Sequence, residues 1–185
     1  MEQMTGIGVL AHVQHEHRVI EQMLSAVDTA AGDRRRDAFE DLVRRLVIHE
    51  TVEELVVHPL LVGSSGEQIR DTVLAQEDTA KHALANFDGL DVDSVEFTTH
   101  FHTLRHNVKA HAQFEEAQEH PALAQHEDVE KLERLRAAFE AAEKVAPTRP
   151  HPQAPDGRVG ILVLGPILAL ADRVRDAIRD ARRSG

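Results

Sequence analysis

The stretch "IHETVEELVVHPL", residues 48–60, places a histidine and a glutamate on a helix face that should be apolar. Because successive residues of an α-helix are about 100° apart, His49 and Glu53 point about 40° apart, one turn from each other. The rest of that face carries Phe39, Leu42, Leu46 and Val56. Two ionisable side chains therefore occupy positions where the middle of a bundle would hold Leu or Val.

The same motif occurs a second time, 62 residues later. "HETVEELVVHP" (49–59) and "HAQFEEAQEHP" (111–121) share the order His, three residues, Glu-Glu, three residues, His-Pro. His111 and Glu115 repeat the one-turn relation. A lone histidine precedes each motif, His17 before the first and His82 before the second. The repeat predicts two successive helix pairs that bring related side chains to one place.

Apolar residues recur at spacings of three and four, the periodicity of one helix face. The first segment has Leu10, Val13, His17, Ile20, Leu24 and Val27, and the fourth has Phe97, Phe101, Leu104, Val108, His111 and Glu115. The third segment has a weaker stripe of Leu74, Asp78, His82 and Ala85. The pattern predicts an all-α protein, an antiparallel up-down four-helix bundle with extra C-terminal helices.

The C-terminal third of the chain has a different composition. We predict a bundle domain over 1–146, a proline-rich linker over 147–159, and an amphipathic helix over 160–185. The apolar face of that helix has Ile167, Leu170, Ala171, Val174 and Ile178. We expect it to pack on the bundle, or on a second subunit or partner.

Composition excludes several classes of function. The formal net charge of −11 argues against a nucleic-acid binder, and the absence of cysteine excludes disulfides and thiolate chemistry. The N-terminus lacks the features of a signal peptide, and the longest apolar run is too short to span a bilayer. We therefore expect a cytoplasmic protein that binds neither nucleic acid nor membrane. Thirteen histidines are the unusual feature.

Buried carboxylates beside imidazoles need a counter-charge, since each unpaired buried ion costs several kcal/mol. A metal of the Fe, Mn, Zn or Co kind suits mixed imidazole and carboxylate ligands. The predicted ligands are His17, His49, Glu53, His82, His111 and Glu115. A charged bundle interior without metal is the competing interpretation.

These residues resemble the pattern of the hemerythrin-like (HHE cation-binding) family, over about residues 8–123. That family has a lone histidine on its first and third helices and His-x3-Glu-Glu followed by proline on its second and fourth. The C-terminal segment is similar to that of actinobacterial members. The resemblance implies two iron ions with a bridging oxo or hydroxo group, in preference to Mn or Zn.

Other polar residues have two open interpretations. Asp78 is either a metal ligand or an exposed helix residue, and it stands where oxygen-carrying hemerythrins have a second histidine. Glu54 and Glu116 are either ligands or partners that hold a ligand histidine's outer N–H. His58 and His120 follow Glu54 and Glu116 by four residues, so we expect each to pair with its glutamate along the helix.

The function expected from this pattern is chemistry on small oxidants. An anionic ligand at Asp78 would favour ferric iron and oppose reversible O2 release, so catalase-like decomposition of H2O2 is the leading hypothesis. The alternative is a sensor or storage module that binds O2, NO or iron without turnover. A metal-free interaction bundle is the third hypothesis.

Overall fold

A computed structural model describes residues 7–145 as an all-α fold, with no strand in that range. The helices are α1 (Gly8–Thr29), α2 (Gly32–Val56), α3 (Gly63–Ala85), α4 (Val95–Phe114), α5 (His120–His126) and α6 (Val129–Val145). A 3-10 turn (His58–Leu60) follows α2, and a π-helical turn (Glu115–Glu119) joins α4 to α5. The predicted all-α class is confirmed. The predicted linker over 147–159 and the helix over 160–185 lie outside the described residues.

The helices pack in pairs that match the internal repeat. Helix α1 packs against α2, and α3 packs against α4. Helix α1 also contacts α4, and α6 lies against α1 and α2. Within residues 7–145, no helix is both long and apolar enough to cross a bilayer.

Two residues just before α4, Asp93 and Ser94, fix the starts of α2 and α4. Ser94 caps α4, because its hydroxyl accepts a hydrogen bond from the Phe97 N–H at 3.0 Å. The Asp93 carboxylate accepts the Gly32 N–H at the start of α2, at 3.0 and 3.1 Å. Asp33 lies in the first turn of α2, and no side chain among the described residues makes a local capping hydrogen bond there. The start of α2 is therefore held by a long-range contact.

Two apolar cores fill the bundle, one on each side of a polar layer. One core contains Val9, Leu10, Val13, Ile48, Val52, Val56, Val57, Leu61, Leu123, Ala124, Leu132 and Phe139. The other contains Ile20, Leu24, Val27, Phe39, Leu42, Val43, Leu46, Phe87, Val92, Phe97, Phe101, Leu104 and Val108. His17 lies in α1 between Val13 and Ile20, so the polar layer separates the two cores.

Helix α3 is rotated relative to the stripe expected from its sequence. Val73 and Glu77 are buried, whereas Leu74, Asp78 and His82 are exposed. A shift of one residue turns a helix by about 100°, so the whole expected stripe faces away from the interior. The predicted buried face of α3 was wrong because it contained only one strongly apolar residue. The contacts of α3 with α4 determine its rotation instead.

Candidate metal centre

Buried histidines and glutamates meet in the layer between the two cores. Three groups each offer ligand atoms within 4.8 Å of one another: His17, His49, Glu53 and Glu115; Glu50, Glu77 and His111; and His58, Glu115 and Glu119. Helices α1, α2, α3 and α4 contribute, together with the 3-10 turn and the π-helical turn. Nearly all of these side chains are buried, and Glu50 is half-buried.

Glu115 lies at the centre of this arrangement. Its Oε2 atom is 3.2 Å from Nε2 of His17. Its Oε1 atom is 3.2 Å from Nε2 of His111 and 3.4 Å from Nε2 of His58. The two oxygens of one fully buried carboxylate therefore face different groups of histidines. Glu115 therefore belongs to two of the three groups of ligand atoms.

Hydrogen bonds on the outer ring nitrogens orient two of these histidines. Nδ1–H of His17 donates to the Glu116 carboxylate at 2.8 Å, and Nδ1–H of His111 donates to the side-chain amide oxygen Oε1 of Gln76 at 3.2 Å. Because Nδ1 carries the proton, the neutral form of each ring directs the lone pair of Nε2 toward Glu115. Such outer partners fix the ring orientation and tautomer of metal-binding histidines.

Several inward atoms have no hydrogen-bond partner among the described residues. They are Nε2 of His17, His58 and His111, Oε2 of Glu53 and Glu119, and both oxygens of Glu115. Two ligands bound to one metal at about 2.0–2.2 Å lie about 3.0–3.4 Å apart. The spacings from Glu115 to the three imidazoles fall at 3.2, 3.2 and 3.4 Å. The donor set and its spacing fit a transition-metal cation.

The electrostatic field of the layer attracts positive charge. Burial lowers the pKa of His17, but the adjacent Glu115 and Glu116 carboxylates outweigh it and raise the pKa to about 9. Burial opposes the charge on His111 also, yet Glu50 and Glu115 raise its pKa to about 11. Without a metal, protons on these rings supply the charge that the carboxylates require.

The carboxyl groups respond differently to the same burial. Burial raises the pKa of Glu53 well above its usual range, and the neighbouring Glu115 charge adds to this effect. Burial also raises the pKa of Glu119 to about 7. The pKa of Glu115 is lowered well below its usual range, because His111, His17 and His58 outweigh its burial. Glu115 is therefore the carboxylate that stays ionised.

The structure brings together five of the six ligands expected from sequence. These five are His17, His49, Glu53, His111 and Glu115. His82 does not join them: its side chain is 77% exposed and lies 3.3 Å from Asp78, which is also exposed. The rotation of α3 separates both residues from the buried layer.

The two glutamates with open interpretations differ from each other. Glu116 is partly exposed and holds Nδ1 of His17, the contact expected of a residue that orients a ligand. Glu54 is half-buried and belongs to none of the three groups. In the second motif, Glu116 therefore takes the role of an orienting carboxylate.

Sequence reasoning missed four residues of this layer: Glu50, His58, Glu77 and Glu119. His58 was expected to pair with Glu54, but it contacts Glu77, Glu115 and Glu119. His120 was expected to pair with Glu116, but it is buried and stacks on His17 at 6.2 Å. Both expectations assumed a regular α-helix, and the helices change pitch at these points. The His-Pro dipeptides were the signal that could have indicated the change.

A cavity of about 340 Å³ leads to the polar layer between α1, α2 and α4. Its lining includes His17, His49 and His111 together with the apolar side chains of Ile20, Leu46 and Val108. Lys109 of α4 and Glu21 of α1 form an ion pair among the lining residues. The cavity gives small molecules access to the imidazoles.

A comparison with known families agrees with this geometry. The family model described as the hemerythrin HHE cation-binding domain matches residues 9–123, from α1 into α5. No curated protein and no solved structure gives a significant match. The matched range includes every residue of the three groups.

Proposed function

This chain belongs to the hemerythrin HHE cation-binding domain family, and on that premise we propose that it is a non-haem di-iron protein with catalase-like activity. The proposed cofactor is two iron ions with a bridging oxo or hydroxo group. The proposed substrate is hydrogen peroxide. In the balanced reaction one peroxide is reduced to water and a second is oxidised to O2.

We assign the first metal position to His17, His49, Glu53 and Glu115. The second would begin with the other oxygen of Glu115 and with His111. His82 is left out of the proposed ligand set, because its side chain is at the surface. The observation that carries the proposal is the convergence of buried, unpartnered nitrogen and oxygen atoms around Glu115.

The charge of the layer supports two cations over one. Glu53, Glu115 and Glu119 are fully buried, and their ionisable partners among the described residues are histidines. When metal displaces the protons of these carboxyl groups, a single divalent ion would leave part of their combined negative charge unbalanced in a medium of low polarity. Two divalent ions would balance it and would also accommodate the half-buried Glu50.

The carboxylate-rich surroundings favour redox turnover over reversible O2 carriage. Anionic ligands stabilise the ferric state, and carriage requires a site that returns easily to the ferrous state. Asp78 cannot supply this effect from the surface, but Glu53, Glu115 and Glu119 lie within the layer. Bound irons would supply Lewis acidity and two electrons for cleavage of the O–O bond.

The protein's own residues would control access and orientation. The apolar walls formed by Ile20, Leu46 and Val108 restrict the inner cavity to small molecules. Glu116 holds the His17 ring, so that its Nε2 faces inward. Buried His49 has a pKa lowered well below its usual range, by burial first and then by His17, so its ring is neutral and able to donate a lone pair.

The first test is metal content together with peroxide turnover. Protein loaded anaerobically with Fe2+ should retain about two irons per chain and evolve O2 when H2O2 is added. His49→Ala and Glu53→Ala should each lose most of the bound iron, whereas exposed His82→Ala should retain it. Full iron retention in both buried-residue variants would overturn the site assignment.

The same experiment addresses the alternative of a sensor or storage module. The cavity that admits peroxide would also admit O2 or NO to His17, His49 and His111. Two retained irons without O2 evolution would favour binding of these gases, or iron storage, over catalysis.

A further inference from the structure

We propose that His58 and Glu119 are ligands of the second metal position, where they take the place expected for a third-helix histidine. The inference rests on the proposed function, because it assumes that the layer holds two cations. It concerns residues that neither the family pattern nor helical periodicity had assigned. The cation would be a divalent first-row transition metal, since the donors are imidazole and carboxylate.

The His58 ring has the geometry of a ligand histidine. It is only 2% exposed, and its Nδ1 atom lies 3.3 Å from Oε1 of Glu77 on α3. Its Nε2 atom lies 3.4 Å from Oε1 of Glu115 and 3.6 Å from Oε2 of Glu119. No hydrogen bond satisfies Nε2 within the described part of the chain. A buried imidazole nitrogen that faces two carboxylates indicates that all three groups bind the same cation.

His17 on the opposite side of Glu115 provides a parallel. Its Nδ1 is held by Glu116, and its Nε2 faces Oε2 of Glu115. His58 shows the same order with a looser contact: Glu77 lies 3.3 Å behind the ring without a hydrogen bond to Nδ1, and Oε1 of Glu115 lies in front of it. Glu115 therefore presents one oxygen to each histidine. This order of carboxylate, imidazole and metal is the usual one for histidine ligands.

Glu119 faces inward because it follows Glu115 by four residues, which lie near one face in an α-helix and in a π-helix alike. Glu115 and Glu119 are both buried, although Glu116 and Gln118 between them are exposed. The π-helical turn changes the position of the next residue, His120, which is also buried. Such turns occur frequently at functional sites. Glu119 adds a second carboxylate beside His58.

The second copy of the motif provides an internal contrast. His120 occupies the position that corresponds to His58, and it is equally buried. It stacks on the His17 ring and its Nδ1 lies 3.5 Å from the Gln14 amide nitrogen. It belongs to none of the three groups of ligand atoms. His120 is therefore a matched control for the removal of a buried imidazole beside a proline.

The test is an anaerobic titration of metal-stripped protein. Titration with Co2+ is monitored by the visible absorption of the bound ion, and titration with Fe2+ gives the number of ions bound per chain. We compare wild type, His58→Phe and His120→Phe, because phenylalanine keeps the aromatic volume and removes the nitrogens. Wild type and His120→Phe should bind two equivalents. His58→Phe should bind one equivalent tightly and the second at least about 100-fold more weakly. This loss of affinity exceeds the one expected when a residue that only hydrogen-bonds to a ligand is removed.

The outcomes distinguish failure of the His58 and Glu119 assignment from failure of the two-metal proposal on which it rests. Two tight equivalents in His58→Phe, as in wild type, would overturn the inference and leave the di-metal proposal in place. Zero or one equivalent in wild type would overturn both. If His58→Phe fails to fold by circular dichroism, Glu119→Gln carries the test, since it keeps the side-chain shape. That variant should also weaken the second equivalent, and unchanged binding would overturn the inference.

Discussion

At the scale of single residues, Glu115 determines the chemistry of the layer. It is fully buried and lies near three imidazoles, and its pKa is lowered well below its usual range although burial opposes this. The carboxylate remains ionised because His111, His17 and His58 together compensate its charge. One glutamate thus links the first and second copies of the repeated motif.

The outer partner of His17 can be tested on its own. Glu116→Ala removes the acceptor 2.8 Å from Nδ1, so the ring loses its fixed tautomer. We expect iron affinity to fall by about 10–100-fold while the fold is retained, because Glu116 is partly exposed. Competition with a chelator measures the affinity. Glu96→Ala, a change at an exposed glutamate in the first turn of α4, should leave iron affinity unchanged, and an equal fall in both variants would contradict the assigned role of Glu116.

At the scale of elements, the start of α1 depends on its contact with α6. Gly8 has a φ of +57°, and its N–H donates to Oε1 of Glu133 at 3.2 Å. A Cβ atom at Gly8 would lie 2.4 Å from the carbonyl carbon of Leu132. The backbones of two helices approach here as closely as glycine allows, so this contact fixes where α6 lies.

Gly8→Ala should therefore destabilise the protein more than a change at another glycine of similar conformation. The left-handed conformation costs about 1–2 kcal/mol for alanine, and overpacking adds about 1–3 kcal/mol. Gly63 has a φ of +79° with open space around it, so Gly63→Ala should lose only the first amount. Urea unfolding of both variants measures the difference. Equal losses would show that α6 does not constrain α1.

At the scale of the whole molecule, the polar layer divides the bundle into two apolar cores. Three of its histidines have raised pKa values, about 9 for His17 and His58 and about 11 for His111, against an ordinary value of 6.5. In each case burial lowers the pKa, and neighbouring glutamates outweigh that effect. Folding of the metal-free chain is therefore linked to proton uptake by this layer.

The metal-free protein should consequently lose stability as the pH rises from about 6.5 to 9. A group with a raised folded-state pKa stabilises fully below its unfolded pKa, and that contribution is lost as the pH rises through the folded value. His17 and His58 titrate within this range, and His111 would continue the loss toward pH 11. The melting temperature in the presence of a chelator measures the trend.

Bound metal should weaken this pH dependence. Ligand imidazoles are deprotonated, so a cation replaces the protons and its affinity increases with pH. The rise in melting temperature on adding Fe2+ anaerobically should therefore be larger at pH 8.5 than at pH 6.5. A rise that is equal at both pH values would indicate that the metal binds outside these histidines.

The sequence by itself determined the helical class and five of the nine residues of the polar layer. Periodicity predicted the buried faces of α1, α2 and α4, where apolar residues flank His17, His49 and His111 one turn away. Those faces are strongly apolar, so local spacing was enough to orient each helix and its buried polar side chains.

Only the tertiary structure decided the rotation of α3 and the role of the residues beside the two prolines. The expected stripe through Asp78 and His82 was too polar to orient α3, and its packing buried Glu77 instead. His58 and His120 are buried because a 3-10 turn and a π-helical turn change the pitch there, whereas Glu119, four residues after Glu115, keeps the face of Glu115. Periodicity assumes a constant angle per residue, so it fails where long-range packing alters that angle.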